Sequence, residues 1–479
     1  MENNQFNFDN SYSKLPNTLF TKINPEPVSQ PKLVLFNKQL AIELNINLSN
    51  SNKVDLANIF SGNVIPQNAC PISQAYAGHQ FGHFTILGDG RANTLGEHIN
   101  SKNNKRFDIQ LKGSGKTPYS RNGDGRAALG PMLREYLISE SLYSLGIPTT
   151  RSLAVVKTGE SVQREIMHPG AILSRVASSH IRIGTFQFLA TNNNISDLEN
   201  LLDYTINRHY PEIKKSKDSA IELLHSFMLR QINLVVEWMR VGFVHGVMNT
   251  DNITLSGEAI DFGPCAFMDV YKPDTFFSSI DYNGRYSYKN QPIITKWNIA
   301  RFAESIIPLI HKNKETSIKL ATEVLELFDK YFQKNWLEMM RSKIGLIRKH
   351  KDDKKLILRL LTIMEERKMD YTNTFRMLNQ KKLYAKNLDF KNWYSDWQKR
   401  VEKFGSFESS QKIMMIKNPS VIPRNNLVEQ VLNDSKFGNY KSIKNFLRIL
   451  KKPYKNYLKE TIFIKDPKID PSYKTFCGT

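Results

Sequence analysis

The pattern of apolar and polar positions changes period along the 479-residue chain, from strand-like to helical. Phe107-Asp108-Ile109-Gln110-Leu111-Lys112 alternates with period two, which predicts a half-buried strand with Asp108, Gln110 and Lys112 on one face. Gly130-Pro131 then opens a helix with proline at its first position. Leu133, Leu137, Ile138, Leu142 and Leu145 give that helix an apolar face, and Gly146 with Pro148 ends it. Ser152–Val156 and Ala171–Val176 read as two more apolar strands. From Thr185 the spacing turns helical, with a long amphipathic stretch over Ala220–Met239, and beyond Trp297 the chain is mostly helical. Residues 1–60, rich in Asn and Ser and broken by Pro25, Pro27 and Pro31, predict an extended arm with one short helix near Lys38–Leu44. The class expected is α+β.

Composition narrows the function classes. Hydrophobic residues at 40% and charged residues at 24% are ordinary for a globular protein and exclude disordered, collagenous and disulfide-rich chains. No apolar run reaches 18 residues, so no membrane span is expected. Met1-Glu2-Asn3-Asn4 begins neither a signal nor a transit pattern, and three cysteines fit a reducing compartment; the expected location is the cytoplasm. The net charge of +21 invites a nucleic-acid partner. Its distribution argues against one: residues 331–479 hold 33 Lys and Arg against 15 Asp and Glu, and the first 330 hold 34 against 31. Short runs such as Arg348-Lys349-His350-Lys351 predict a solvated, lysine-rich helical surface.

The candidate chemistry lies in His245-Gly246-Val247-Met248-Asn249-Thr250-Asp251-Asn252, followed by Asp261-Phe262-Gly263. Ser256-Gly257 is a turn signal, and a two-residue loop there would pair Asn252 with Asp261 across the base of a hairpin. An amide oxygen and a carboxylate converging at one point suit Mg²⁺, which takes oxygen ligands and leaves room for phosphate. The order His-x6-Asn then Asp-Phe-Gly is that of protein kinases. Lys112, ending its strand, and Glu135, 23 residues later in the Pro131 helix, would form the ion pair that holds an ammonium against nucleotide phosphates. Two glycine-rich turns, Leu87-Gly88-Asp89-Gly90-Arg91 and Arg121-Asn122-Gly123-Asp124-Gly125-Arg126, let backbone N–H groups approach anions. Arg175 and Arg182 flank the end of the last strand and offer guanidinium forks for phosphate. One position departs from the kinase pattern. Where the catalytic-base Asp should stand, two residues after His245, there is Val247, which cannot accept a proton; Asp251 is the nearest candidate.

Six stretches resemble the selenoprotein O family of kinase-like protein adenylyltransferases: Gln74–Arg91, Asp108–Arg134, Gly170–Phe186, His245–Met268, Phe276–Asn298 and Asn418–Glu429. The resemblance covers most of residues 65–310 and returns in patches toward the C-terminus; 310–415 matches less well. It implies a two-lobed kinase-like fold: an N-terminal arm over 1–64, a nucleotide-binding lobe over 65–182, a second lobe with the metal site over 183–310, and a basic helical region over 311–479. It implies that ATP binds turned around relative to a kinase and that AMP passes to Ser, Thr or Tyr of protein substrates, with pyrophosphate released. Carried over residue by residue, Gly88, Gly90, Arg91, Lys112, Asp124, Gly125, Arg175 and Arg182 contact the nucleotide. Asp251 accepts the proton, Glu135 orients Lys112, and Asn252 and Asp261 hold Mg²⁺, with Mn²⁺ as the alternative. A monomer is expected. Other readings are an ordinary protein kinase, against which Val247 speaks, and a nucleotide-binding scaffold without turnover, against which the complete set Lys112, Asn252 and Asp261 speaks.

Some members carry selenocysteine third from the C-terminus, where this chain has Cys477. Cys265 follows the Asp-Phe-Gly triplet by two residues. A tail reaching the site predicts a reducible Cys265–Cys477 disulfide, with Cys70 the weaker partner.

Overall fold

The computed structural model of the chain describes residues 5–48, 51–192, 194–213, 216–379, 388–455, 470 and 472–476. Strands run over Phe20–Lys22 (β1), Lys32–Phe36 (β2), Ile72–Gln74 (β3), Ala77–Gln80 (β4), His83–Ile86 (β5), Ala92–Ile99 (β6), Arg106–Lys112 (β7), Arg151–Gln163 (β8), Met167–Ala177 (β9), Phe243–Val244 (β10) and Ala266–Phe267 (β11). Seven of them form one antiparallel sheet in the order β1-β3-β6-β7-β9-β8-β2; β4 pairs with β5 and β10 with β11. Helices interleave with these strands and then replace them: Lys38–Glu43 (α1), Lys53–Ser61 (α2), Leu129–Ser144 (α3), Ile183–Thr191 (α4), Ile195–His209 (α5), Ser219–Val241 (α6) and Gln291–Ile310 (α7). The remainder is Lys314–Lys343 (α8), Asp353–Glu366 (α9), Tyr371–Asn379 (α10), Leu388–Phe404 (α11), Phe407–Lys417 (α12), Asn425–Lys436 (α13) and Lys441–Leu450 (α14). This is a mixed helix-and-sheet fold, with the sheet in the N-terminal part and helices in the C-terminal part.

The period-two strand folds as its pattern demands. Ile109 and Leu111 of β7 point to one side of the sheet, where with Leu153, Val156, Ile172 and Val176 they pack on Leu40 and Leu44 of α1 and Leu56 and Phe60 of α2. Asp108, Gln110 and Lys112 therefore face the other side. Arg175 of β9 stands opposite Gln110, and cross-strand partners share a face. Helix α3 packs on this second face, where Leu133 and Leu137 join Val155, Ala171 and Leu173 in the main core. That core continues through α4, α6, α7 and α8 to Phe446 of α14.

Three expectations about elements need correction. Helix α3 starts at Leu129, so Pro131 is its third residue, not its first. The first four helical N–H groups have no intrahelical partner, so proline is tolerated there too. The hairpin between Asn252 and Asp261 does not close on a two-residue loop: Ile253 bridges Ala259, one position short of the Ile260 that such a loop would place opposite it. Each arm is drawn to other chain segments. Leu255 N–H donates to Ile181 O and Ile183 N–H to Ile253 O, both at 2.9 Å, and Thr150 N–H donates to Ala259 O at 2.9 Å. Buried backbone groups satisfied in this way leave no ladder for a regular hairpin. Residues 1–64 do contain the short helix α1, but they also form α2 and supply β1 and β2, the two edge strands of the sheet. Among the described residues no helix is long and apolar enough to cross a membrane.

Candidate functional site

A cavity of about 1120 Å³ opens between the polar face of the sheet, the start of α3 and the 247–264 loops. Gly88, Gly90, Arg91, Lys112, Asp124, Gly125, Glu135, Arg175, Arg182, Asp251, Asn252 and Asp261 all line it. Residues up to 173 positions apart in sequence thus meet at one hollow.

Its floor is a closed network of two cations and two anions. Lys112 Nζ donates to Glu135 Oε2 at 2.7 Å and to Asp261 Oδ1 at 2.5 Å. Arg175 Nη1 donates to Asp261 Oδ1 at 2.7 Å and to Glu135 Oε1 at 3.2 Å. Arg175 Nε donates to Gln110 Oε1 at 3.1 Å, which fixes the guanidinium plane. Burial alone would raise the Asp261 carboxyl, but the charges of Lys112 and Arg175 outweigh it and hold the group well below the usual carboxylate range. Asp261 also has φ +63°. A non-glycine residue in the left-handed region persists only where its surroundings determine it, and such residues cluster at functional sites.

Asp251 sits on the 3₁₀ turn Thr250–Asn252. Burial pushes its carboxyl up to about 6, toward the range in which a carboxylate can accept a proton near neutral pH. Its backbone carbonyl accepts from Arg182 Nη1 at 3.1 Å. Asn252 donates from Nδ2 to Val247 O at 3.0 Å, which leaves its amide oxygen directed elsewhere. The β4–β5 hairpin lies against this turn: His79 N–H donates to Thr250 Oγ1 at 2.7 Å and Phe81 N–H to Asn249 Oδ1 at 3.1 Å.

Three buried polar atoms of cavity-lining residues have no hydrogen-bond partner among the described residues: Arg164 Nε, Arg182 Nη2 and Asp251 Oδ1. Unsatisfied buried groups are uncommon and call for an occupant or a role. The Arg182 guanidinium stacks 4.1 Å from the Tyr76 ring centre, and its Nη2 is 3.9 Å from Asp89 Oδ1. At the other wall Gly88 has φ +142°, and a Cβ there would fall 2.3 Å from the Tyr119 ring. Only glycine lets the 88–91 turn lie this close to the 119–126 turn.

Asp89, Gln110, Tyr76, Gln80, Tyr119 and Asn249 also serve the site, and sequence reasoning did not single them out as site residues. Gln110 had a signal, its place on the Lys112 face; the others are brought in by contacts between distant segments. Cys265 is buried behind the cavity, with its thiol directed to Phe262 O at 3.5 Å. Cys477 lies outside the described residues.

A family model described as protein adenylyltransferase SelO matches residues 2–451. The chain belongs to the SelO family. Among its relatives is the protein nucleotidyltransferase YdiU of Pelagibacter ubique, 55% identical over 480 residues and covering 99% of each chain. The proteins of the same name from Nitrosococcus oceani and Anoxybacillus flavithermus are 52% and 51% identical, over 99% and 100% of this chain and 97% and 100% of their own. As a SelO member the chain is an enzyme of the nucleotidyltransferase class.

Proposed function

We propose that the chain transfers AMP from ATP to Ser, Thr or Tyr hydroxyls of proteins and releases pyrophosphate. The observation that carries this reading is the juxtaposition, in one cavity, of the Lys112–Arg175–Glu135–Asp261 network, the Arg182 guanidinium and the buried Asp251 carboxylate, with Val247 where a kinase keeps its base. The proposal includes a two-lobed kinase-like arrangement divided as 1–64, 65–182, 183–310 and 311–479.

Lys112, Arg175 and Arg182 supply three positive charges, and Arg91 and the 88–91 and 121–126 turns add donors at the mouth. Such a set suits a triphosphate, and Arg182 Nη2, which has no hydrogen bond and only a 3.9 Å ion pair with Asp89, offers a donor for one of its oxygens. Because Asp251 and Arg182 are joined through the Asp251 carbonyl, a phosphate on Arg182 lies beside the carboxylate. In this reading that phosphate is the α one, so ATP is inverted relative to a kinase. Asp251 takes the proton from the acceptor hydroxyl as its oxygen attacks the α-phosphorus. The bond from that phosphorus to the bridging oxygen of the β-phosphate breaks, and pyrophosphate leaves with the electron pair. The rising negative charge faces Arg182 and Arg175.

The oxygens of Asn252 and Asp261 are hard donors at the cavity and fit a divalent cation, Mg²⁺ or Mn²⁺. When bound, the ion neutralises phosphate charge. Glu135 keeps Lys112 and Arg175 aimed at the same place. Intact-mass analysis of a protein acceptor after incubation with ATP tests the proposal: adenylyl addition supports it and phosphoryl addition refutes it. The Cys265–Cys477 disulfide remains part of the proposal. Peptide mapping of oxidised and reduced protein tests it, and absence of the cross-linked peptide after oxidation refutes it.

A further inference from the structure

Besides β10, three chain segments converge on the stretch that follows Asp261, through side chains that have no part in the chemistry proposed above. The first is α3: Arg134, the residue before Glu135, donates from Nη2 to Cys265 O at 2.8 Å. The second is α13: Asn425 Nδ2 donates to Phe267 O at 3.0 Å, and Arg424 Nη1 donates to Asp269 Oδ1 at 2.8 Å and Asp370 Oδ2 at 2.6 Å. The third is the C-terminal segment: Thr475 Oγ1 donates to Pro264 O at 2.7 Å. Glu429 of α13 ties the three together. It accepts from Arg134 Nη1 at 2.9 Å and from the Tyr473 hydroxyl at 2.8 Å.

Arg134 and Arg424 are both buried. Buried cations are expensive to keep unless paired, and Glu429 is the carboxylate that pairs Arg134. Removing it leaves a buried guanidinium whose remaining contacts are neutral ones, the Cys265 carbonyl and the Tyr473 hydroxyl. Upstream, Asp261 is bracketed from within its own neighbourhood by the contact of His245 Nε2 with Ile260 O at 2.8 Å. Downstream, β10 pairs with Ala266 and Phe267 and Met268 N–H donates to Gly242 O at 2.7 Å; to this are added residues more than 160 positions after Asp261, Asn425 directly and Glu429 through Arg134. A left-handed aspartate needs both sides held.

We infer that Glu429 and Asn425 are positioning residues for the nucleotide and metal site: through Arg134 and the 265–269 backbone they hold Asp261 in its left-handed conformation. The inference rests on the reading of Asp261 as the metal carboxylate. It gives the Asn418–Glu429 motif, which the chemistry leaves unused, a task, and it makes part of the helical C-terminal region a brace for the site.

The test uses the full chain, Glu429→Ala, and Asn425→Ala as a second, milder variant. Hydrogen exchange is measured over 262–268 without metal or nucleotide. Calorimetry then measures binding of a non-hydrolysable ATP analogue at several Mg²⁺ and Mn²⁺ concentrations. Partners that orient a metal ligand are worth about 10- to 100-fold in affinity or activity. Both variants should exchange faster over 262–268, leave the amides of α6 unchanged, and require about 10-fold more metal for the same analogue binding. Unchanged exchange overturns the inference. Faster exchange with unaltered metal dependence overturns it as well, because the contacts are then structural only. If the parent chain shows no metal-dependent analogue binding, the reading of Asp261 fails instead, and the exchange measurement alone decides whether α13 holds the segment.

Discussion

Gly78 on β4 and Asp251 are packed so closely that a Cβ on Gly78 would fall 2.2 Å from Asp251 Oδ1. The β4–β5 hairpin is therefore the roof over the carboxylate, and its glycine is required by approach rather than by backbone angle. Gly78→Ala should displace the Asp251 side chain by about an ångström with the rest of the fold retained. Misplacement on that scale costs about 10²-fold in rate. Steady-state transfer rates with melting temperatures check this: the rate should fall about 10²-fold while melting shifts by a few degrees.

Asp261→Asn separates charge from backbone. Asparagine tolerates the left-handed region, so the variant should fold. It removes the anion that both Lys112 and Arg175 contact. Activity should drop by about 10²-fold or more, the scale of lost electrostatic stabilisation. Circular dichroism should match the parent, and near-parent turnover would contradict the role given to Asp261.

Val247→Asp restores the kinase residue at its usual spacing. It should not confer γ-phosphoryl transfer, because in the proposed inverted binding the α-phosphate, not the γ-phosphate, faces Asp251. Incubation of the variant with γ-labelled ATP should leave protein unlabelled.

Stability should fall in acid because of His209. Its Nε2 lies 2.6 Å from Ser179 Oγ, and burial, assisted by Arg208 and Arg230, lowers its pKa from 6.5 to about 3. Below pH 6.5 the unfolded chain takes up a proton that the folded chain refuses until about 3, so this contribution is full above 6.5 and declines through that window. Melting temperature against pH should fall between 7 and 4, and the slope should be shallower in His209→Gln. An equal slope in the variant would contradict the assignment.

Much of the site was legible because its residues belong to local patterns. The period of two around Lys112 fixes which side chains share its face, and Arg175 lands there because β9 pairs with β7 at Gln110. The Lys112–Glu135 pair followed from the kinase order of a strand lysine and a helix glutamate, once the strand and the helix had been placed. The register of the 252–261 stretch was not legible. Local turn chemistry at Ser256-Gly257 competes with backbone bonds to 148–150 and 181–183, and the tertiary partners win. Arg134, Glu429 and Tyr473 share one hydrogen-bond group yet span 339 positions, a distance over which no periodicity carries information. Helix α2 was missed because its Asn52 cap and Asp55, which form a capping box, read as part of a polar arm.

The central claim is the inverted transfer, and the fate of the two ends of ATP tests it most directly. The parent chain is incubated with a protein acceptor and ATP labelled at either the α- or the γ-phosphorus, and the protein is then separated and counted. Label from the α position should become covalently attached to protein, and label from the γ position should appear only in pyrophosphate. Attachment of γ label without α label would contradict the account.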